Sequence, residues 1–302
     1  MRADIVTRLT KQTVDWRGTH RCEHGHTYLE HPDCLESPKP TKRVGIFADT
    51  HCGHKAGLTH PKHEPNKGSA DAEMRRLLWE LFINKVNALK PFDVAIFNGD
   101  MIDGKAKKDG GRGIIEPSQL EQAQWAASII EEVGAPKVIE TFGTAYHTGT
   151  EEDFEATIKD KFSKSYSPEY HLVGHGHVDV NGCIFDIRHK VASSQIPHGR
   201  LTAVKRAKVW ADIWRDAGVI PQSDIIIRSH VHYHEASTTR DCLAMTTPAL
   251  QGLGNIFGER ICDGMVEWGF LWFDVESSDN YDWHSFIPQE SFDLQKVDVI
   301  SL

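Results

Sequence analysis

Seven side chains of two chemical kinds stand just past short apolar runs: Asp49 and His51, Asp100, His147, His189, then His230 and His232. Carboxylate oxygens and imidazole nitrogens with no thiolate among them suit Mn, Fe, Zn or Co better than a soft-metal or iron–sulfur site. Seven such groups exceed what one tetrahedral ion takes, whereas two ions sharing a bridging carboxylate would use them. Two metals about 3.5 to 4 Å apart are a recurrent way to stabilise both the attacking and the leaving oxygen at phosphorus. The last pair belongs to DIIIRSHVHYHE, residues 224–235, with histidines at alternating positions, His230, His232 and His234. Read as an extended strand end, that spacing aims several ring nitrogens at one space, with His234 left outside the cluster.

These groups need a scaffold that brings strand ends together. RVGIFADTH (43–51) is an apolar run that stops at a polar cluster, as a buried parallel strand does on reaching a site. A loop and the amphipathic segment ADAEMRRLLWELFINKVNALK follow, giving strand, loop and helix. The unit recurs with FDVAIFNGD (92–100) and PSQLEQAQWAASIIEEVG, a helix opened by Pro and closed by Gly. KVIETFGTAYH supplies a third strand, and HLVGHGHVDVNGCIFDIRHK reads as two strands about an Asn-Gly turn. A helix near 200–217, the strand of the histidine stretch, and late strands at CLAMTTPAL, MVEWGFLWFDVE and YDWHSFIP complete the pattern. The fold class this predicts is α/β, a two-sheet β-sandwich flanked by helices. Strand ends are where open α/β sheets place ligands.

Composition bounds the function. The chain has 302 residues, 39% hydrophobic and 25% charged, with a formal net charge of −9. No apolar stretch approaches the roughly 18 to 20 residues of a membrane span, and the start MRADIVTRLTKQTVDWRG lacks a secretory apolar run. The expected compartment is the cytoplasm, without a membrane partner. Cysteines at 22, 34, 52, 183, 242 and 262 have no framework spacing and read as reduced thiols or metal ligands. The acidic balance disfavours a nonspecific grip on nucleic acid without excluding a local basic groove. Oligomeric state is not legible.

Residues 1–41 read as an N-terminal Cys/His-rich arm before a main domain at 42–302. Within the arm, Cys22, His26, His31 and Cys34 make a candidate Cys₂His₂ set for a structural zinc, against the plainer reading of a His-rich arm. Lys105, Lys107, Lys108 and Arg112 lie in the loop after Asp100, available to substrate phosphates or simply solvated.

DTH at 49–51, GDMID at 99–103, AYH at 145–147, RHK around His189 and SHVH at 229–232 follow one another in order. This series resembles the calcineurin-like metallophosphoesterases, whose ordered signature is D-x-H, G-D-x-x-D, G-N-H, a lone His and G-H-x-H, and the match spans roughly residues 43 to 250. The small appendages resemble phage-type or bacterial members more than a secreted acid phosphatase. The resemblance implies that Asp49, His51 and His232 hold one divalent ion, that Asp100 bridges, and that His189 and His230 hold the second. It further implies that Asp103 orients a ligand, and that His147 faces the phosphate and aids the leaving oxygen. The nucleophile it implies is a metal-bound water, acidified from about 15.7 towards 7.

Two positions depart from the signature. Ser229 replaces the glycine before His230, and Ala145-Tyr146 stands before His147 where the family has Gly-Asn. The asparagine's place is then open to water or to another group, such as Glu151 or Glu152. His175 and His177, in VGHGHVD, match the last motif letter by letter but precede His189, so the later pair fits the order better. The function expected is hydrolysis of phosphate monoesters or diesters at a binuclear centre. The alternatives are a nuclease of the same fold and a catalytically silent scaffold.

Overall fold

The structure is a computed structural model describing residues 40–105, 110–111, 113–148, 153–192, 196–252 and 266–294. The arm with Cys22, His26, His31 and Cys34, the loop residues Lys107, Lys108 and Arg112, and Glu151 and Glu152 lie outside the described residues.

Short runs of β-branched and aromatic residues bounded by polar clusters become strands, the central ones such as Val94–Phe97, Ile225–Arg228 and Leu243–Thr246 buried on both faces. In the first sheet β1 (Lys42–Phe47), β2 (Val94–Phe97), β3 (Lys137–Thr141) and β4 (Glu169–Val173) are parallel neighbours. The antiparallel β10 (Phe270–Ser277) and β11 (Asn280–Phe286) extend it, in the order β11-β10-β1-β2-β3-β4. The second sheet takes β5 (Gly176–Val180), β6 (Cys183–Arg188), β7 (Ile225–Arg228), β9 (Leu243–Thr246) and β8 (Glu235–Thr238), in the order β5-β6-β7-β9-β8.

Side chains alternate across each strand, and the alternation assigns the layers. Val44, Ile46, Val94, Ile96, Leu271 and Phe273 of the first sheet pack on Phe185, Ile187, Ile225, Ile227, Leu243 and Met245 of the second. The opposite face of the first sheet, through Phe47, Ala95 and Phe97, meets helices α1 (Ala70–Leu89) and α2 (Gln119–Val133). Ser69 caps α1 by accepting from the Ala72 amide, Ser118 caps α2 through the Glu121 amide, and Gly134 ends α2 in a left-handed turn. Helix α3 is the single turn Ala145–Thr148, α4 is Arg200–Asp216 against the second sheet, and α5 is Gln289–Asp293. The layers are therefore helix, sheet, sheet, helix, as the α/β sandwich reading expects. Among the described residues no helix is long and apolar enough to cross a membrane, and Cys52, Cys183 and Cys242 are free and buried.

Two local expectations need correction. Residues 171–188 form parts of three strands: the chain leaves the first sheet after Val173 and enters the second at Gly176, with Gly174 and His175 as the crossing. The histidine stretch is strand only to Arg228. Its histidines lie in the loop beyond, so their period of two reflects loop turns and not pleating.

Candidate metal centre

The donors stand where neighbouring strands run out together. β1 and β2 are parallel, and their pairing continues past the strand ends: the Asp49 amide donates to Gly99 O at 3.1 Å, His51 N to Asp100 O at 3.1 Å and Cys52 N to Met101 O at 2.9 Å. DTH and GDM are thereby held side by side. Local backbone turns then aim the side chains. Among the described non-glycine residues, those with left-handed φ are Asp49 (54°), His51 (45°), Asp100 (50°), His230 (76°) and His232 (55°), with Asn181 (55°) of the β5–β6 turn. Such a backbone costs on the order of 1 kcal/mol or more at each residue and persists only where surrounding contacts over-determine it. Apart from the hairpin turn, this strain is confined to candidate ligands. Close approach also requires Gly143, where a Cβ would lie 2.2 Å from Asp100 Oδ1.

Two donor sets result. In the first, His232 Nε2 is 3.2 Å and His51 Nε2 3.8 Å from Asp49 Oδ1. In the second, His189 Nε2 is 2.9 Å and His230 Nδ1 3.8 Å from Asp100 Oδ2. Within each set the ligand atoms lie within 4.8 Å of one another. The sets adjoin, with Asp49 Oδ1 4.0 Å from His189 Nε2. Asp49, His51, Asp100 and His189 are at most 2% exposed, whereas His230 and His232 are partly open.

Outer partners fix the imidazoles. His51 Nδ1 donates to Asp103 Oδ1 at 2.9 Å and His189 Nδ1 to Asn98 O at 2.7 Å, which leaves each Nε2 as a lone pair facing a carboxylate. His147 Nδ1 lies 2.9 Å from Asp103 O, and its ring is edge-on to His51 at 4.6 Å. Its side chain joins His51 and Asp100 in a further group of close donor atoms.

The electrostatics ask for positive charge. Burial would raise the Asp49 carboxyl, yet His232, His51 and His189 hold it well below the carboxylate range. Asp100 is likewise held low against burial by His189, His230 and His147. Burial would lower His51, but Asp103, Asp49 and Asp100 push it up to about 10. His189, similarly opposed by burial, is pushed up to about 9 by Asp100 and Asp49. Asp49 Oδ1, Asp103 Oδ2, His51 Nε2 and His189 Nε2 are buried and make no hydrogen bond. Carboxylate oxygens and imidazole lone pairs with that preference fit divalent cations taking the place of the protons.

Three residues that the sequence did not single out complete the site. Thr144 meets Asp100: its amide donates to Asp100 Oδ1 at 2.6 Å and its hydroxyl lies 3.2 Å from that oxygen. Buried Glu155 accepts from the amides of Met101 at 2.6 Å and Gly143 at 2.8 Å, tying two donor loops together. Asn98 accepts from Thr141 Oγ1 at 2.9 Å and donates to Ser229 Oγ at 2.7 Å, and Ser229 Oγ also receives Thr247 Oγ1 at 2.8 Å. Ser229 therefore carries a polar chain across the two sheets. Its signal in the sequence was the hydroxyl itself, which a glycine lacks.

Other candidates lie elsewhere. His234 Nδ1 is 2.7 Å from Thr246 O and joins neither set. His175 and His177 gather on Asp186, and Lys105 is exposed.

No family model matches the chain, and no curated protein matches it. Among solved structures it is similar to a novel archaeal phosphodiesterase, with 14% identity, 81% of this chain and 99% of that chain covered, and a TM-score of 0.42. Zinc-complexed Vps29 from Entamoeba histolytica matches with 12% identity over 81% of this chain and 98% of that one, TM-score 0.37. A conserved protein from Streptococcus pneumoniae described as a predicted phosphoesterase matches with 10% identity over 82% and 98%, TM-score 0.33. At these identities the likeness concerns the fold alone.

Proposed function

We propose that the chain is a metal-dependent phosphoric ester hydrolase of the calcineurin-like kind, acting on monoesters or diesters at a pair of divalent cations. The observation that carries this reading is the meeting of two three-residue donor sets, Asp49–His51–His232 and Asp100–His189–His230, whose atoms lie as close as 4.0 Å across the sets. One tetrahedral ion would leave part of this set unused, and a purely structural cluster gives no reason to hold five of its members in left-handed backbone.

When bound, the cations would supply Lewis acidity towards phosphoryl oxygens and a water of lowered pKa. The chain's own groups do the rest. Asp103 keeps the His51 proton on Nδ1 and so presents Nε2 inward. Asn98 O does the same for His189. Thr144 fixes the orientation of the Asp100 carboxylate through its amide and hydroxyl. His147, with Nδ1 tied to Asp103 O, has Nε2 free to exchange a proton with the leaving oxygen. Burial and the neighbouring His51 lower its pKa, which makes it a stronger acid once protonated.

The test is metal content together with turnover of p-nitrophenyl phosphate and bis(p-nitrophenyl) phosphate with added Mn²⁺. The expected result is about two cations per chain and turnover of at least one ester. Cleavage of the bis ester alone would assign the diesterase branch, which includes nucleases. No retained metal and no turnover of either ester would overturn the proposal in favour of a silent scaffold.

A further inference from the structure

A second polar cluster lies on the other face of the second sheet. Phe185 and Ile187 of β6 face the core between the sheets, so Asp186 and Arg188 point the opposite way, towards α4. The register sets His177 against Asp186 and Arg188 against Arg228. Between this face and α4 is a cavity of about 280 Å³ whose lining includes His175, Asp186, Arg188, Arg228, Trp210 and Trp214.

The charges in this cavity do not balance. Like charges directly opposite across a strand pair are destabilising, and Asp186 is the one carboxylate in the lining beside the two arginines. Arg228 Nη1 is 2.8 Å from Asp186 Oδ1, and His175 Nε2 is 2.8 Å from the same oxygen. Arg228 is 2% exposed, yet its Nε, like that of Arg188, is buried with no hydrogen-bond acceptor. Arg228 Nη1 also donates to Asp186 O at 3.0 Å and Ile227 O at 2.8 Å, and Asp186 Oδ2 is buried without a donor, but the two buried Nε–H groups have no acceptor and are placed to receive an anion.

The rim is aromatic. Trp210 and Trp214, four residues apart on one face of α4, are 54% and 37% exposed, large flat surfaces beside the arginines. His175, His177 and Asp186 also lie close enough to share a metal ion. The guanidinium 2.8 Å from that carboxylate, with a second beside it, repels a cation and favours the anion.

We infer that this cavity binds a small anion carrying a flat ring, the chemistry of a nucleoside monophosphate, with the charge between Arg188 and Arg228 and the ring against Trp210 and Trp214. Arg188 and Arg228 directly precede His189 and Ser229 in the chain, but their side chains lie across the sheet from its inner core. The site therefore does not depend on the proposed hydrolytic reading.

The test is calorimetry and tryptophan fluorescence of the full-length chain titrated with AMP and with inorganic phosphate. AMP is expected to bind and quench the tryptophans, with phosphate competing. Arg188→Gln should weaken both ligands by about tenfold or more, as loss of a charge-assisted contact requires. Trp210→Ala, a surface change, should weaken AMP and leave phosphate unchanged. Asp100→Asn, which removes a ligand of the proposed metal centre, should leave the AMP-dependent tryptophan quenching unchanged. Absence of AMP binding, its loss in Asp100→Asn, or indifference to Arg188→Gln would overturn the inference. So would an equivalent of Zn²⁺ retained in Asp100→Asn and lost on His177→Ala.

Discussion

Asp103→Asn is expected to separate the two candidate cation sites. Asp103 is 3% exposed and touches the centre through His51, with Oδ1 2.9 Å from His51 Nδ1. Its backbone oxygen, which side-chain substitution leaves in place, holds His147 at 2.9 Å. Asparagine keeps an acceptor for the His51 proton and removes the charge. A charge-assisted hydrogen bond is about twice as strong as a neutral one, a difference of about 1 to 1.5 kcal/mol here, or about tenfold in affinity. Asp103→Ala removes the acceptor altogether and should approach the hundredfold loss seen when such outer partners of metal-bound histidines are deleted. No Asp103 contact reaches His189 or His230 among the described residues. The weakening should therefore fall on the Asp49–His51–His232 set, with the other set unchanged within about twofold or tightened by loss of its neighbouring cation. Chelator-competition titration with Mn²⁺ reads the two affinities. Equal weakening at both sites, or none at either, would refute the assignment of Asp103 to one side.

Asp100→Asn should lower cation occupancy at both sites and abolish turnover, as metal analysis and ester hydrolysis would show, because Asp100 lies where the sets adjoin. His147→Ala should retain the metal while the rate falls by about a hundredfold or more, and metal loss in that variant would make His147 a ligand. The fourth prediction concerns pH. Burial and the neighbouring Glu155 raise Glu140 well above its usual 4.5, against the hydrogen bond from Tyr170, and burial with Asp100 raises Glu155 to about 8. Groups with raised folded pKa values contribute stability below the unfolded value and lose it as pH rises through the folded one. Glu140→Gln should therefore lose less stability than wild type between about pH 5 and pH 8, measured as urea midpoints.

The grouping of the candidate donors was legible because they share a type and a place: Asp49, Asp100, His189 and His230 each follow an apolar run that forms a strand. Other features needed the fold. His230, His232 and His234 read as one face of a strand, but strand pairing stops at Arg228 and left-handed turns send the first two to different carboxylates. Thr144 was hidden because it precedes the helical turn Ala145–Thr148 that carries His147, three residues before the histidine on which the motif was aligned. The α4 cavity depends on the register of β5, β6 and β7, and pairing partners far apart in the chain leave no local trace.

The chain of polar contacts Thr141–Asn98–Ser229–Thr247 has a mechanical consequence. The apolar layer between the sheets is non-directional, and alone it would tolerate small sliding of one sheet over the other. Asp49 and Asp100 ride on one sheet while His189, His230 and His232 ride on the other, so any slip would pull carboxylates away from imidazoles. Hydrogen bonds are directional, and this clasp at the mouth of the sandwich acts as an indexing pin. It sets the position of one sheet against the other at the end where a displacement of about 1 Å can cost a hundredfold in rate.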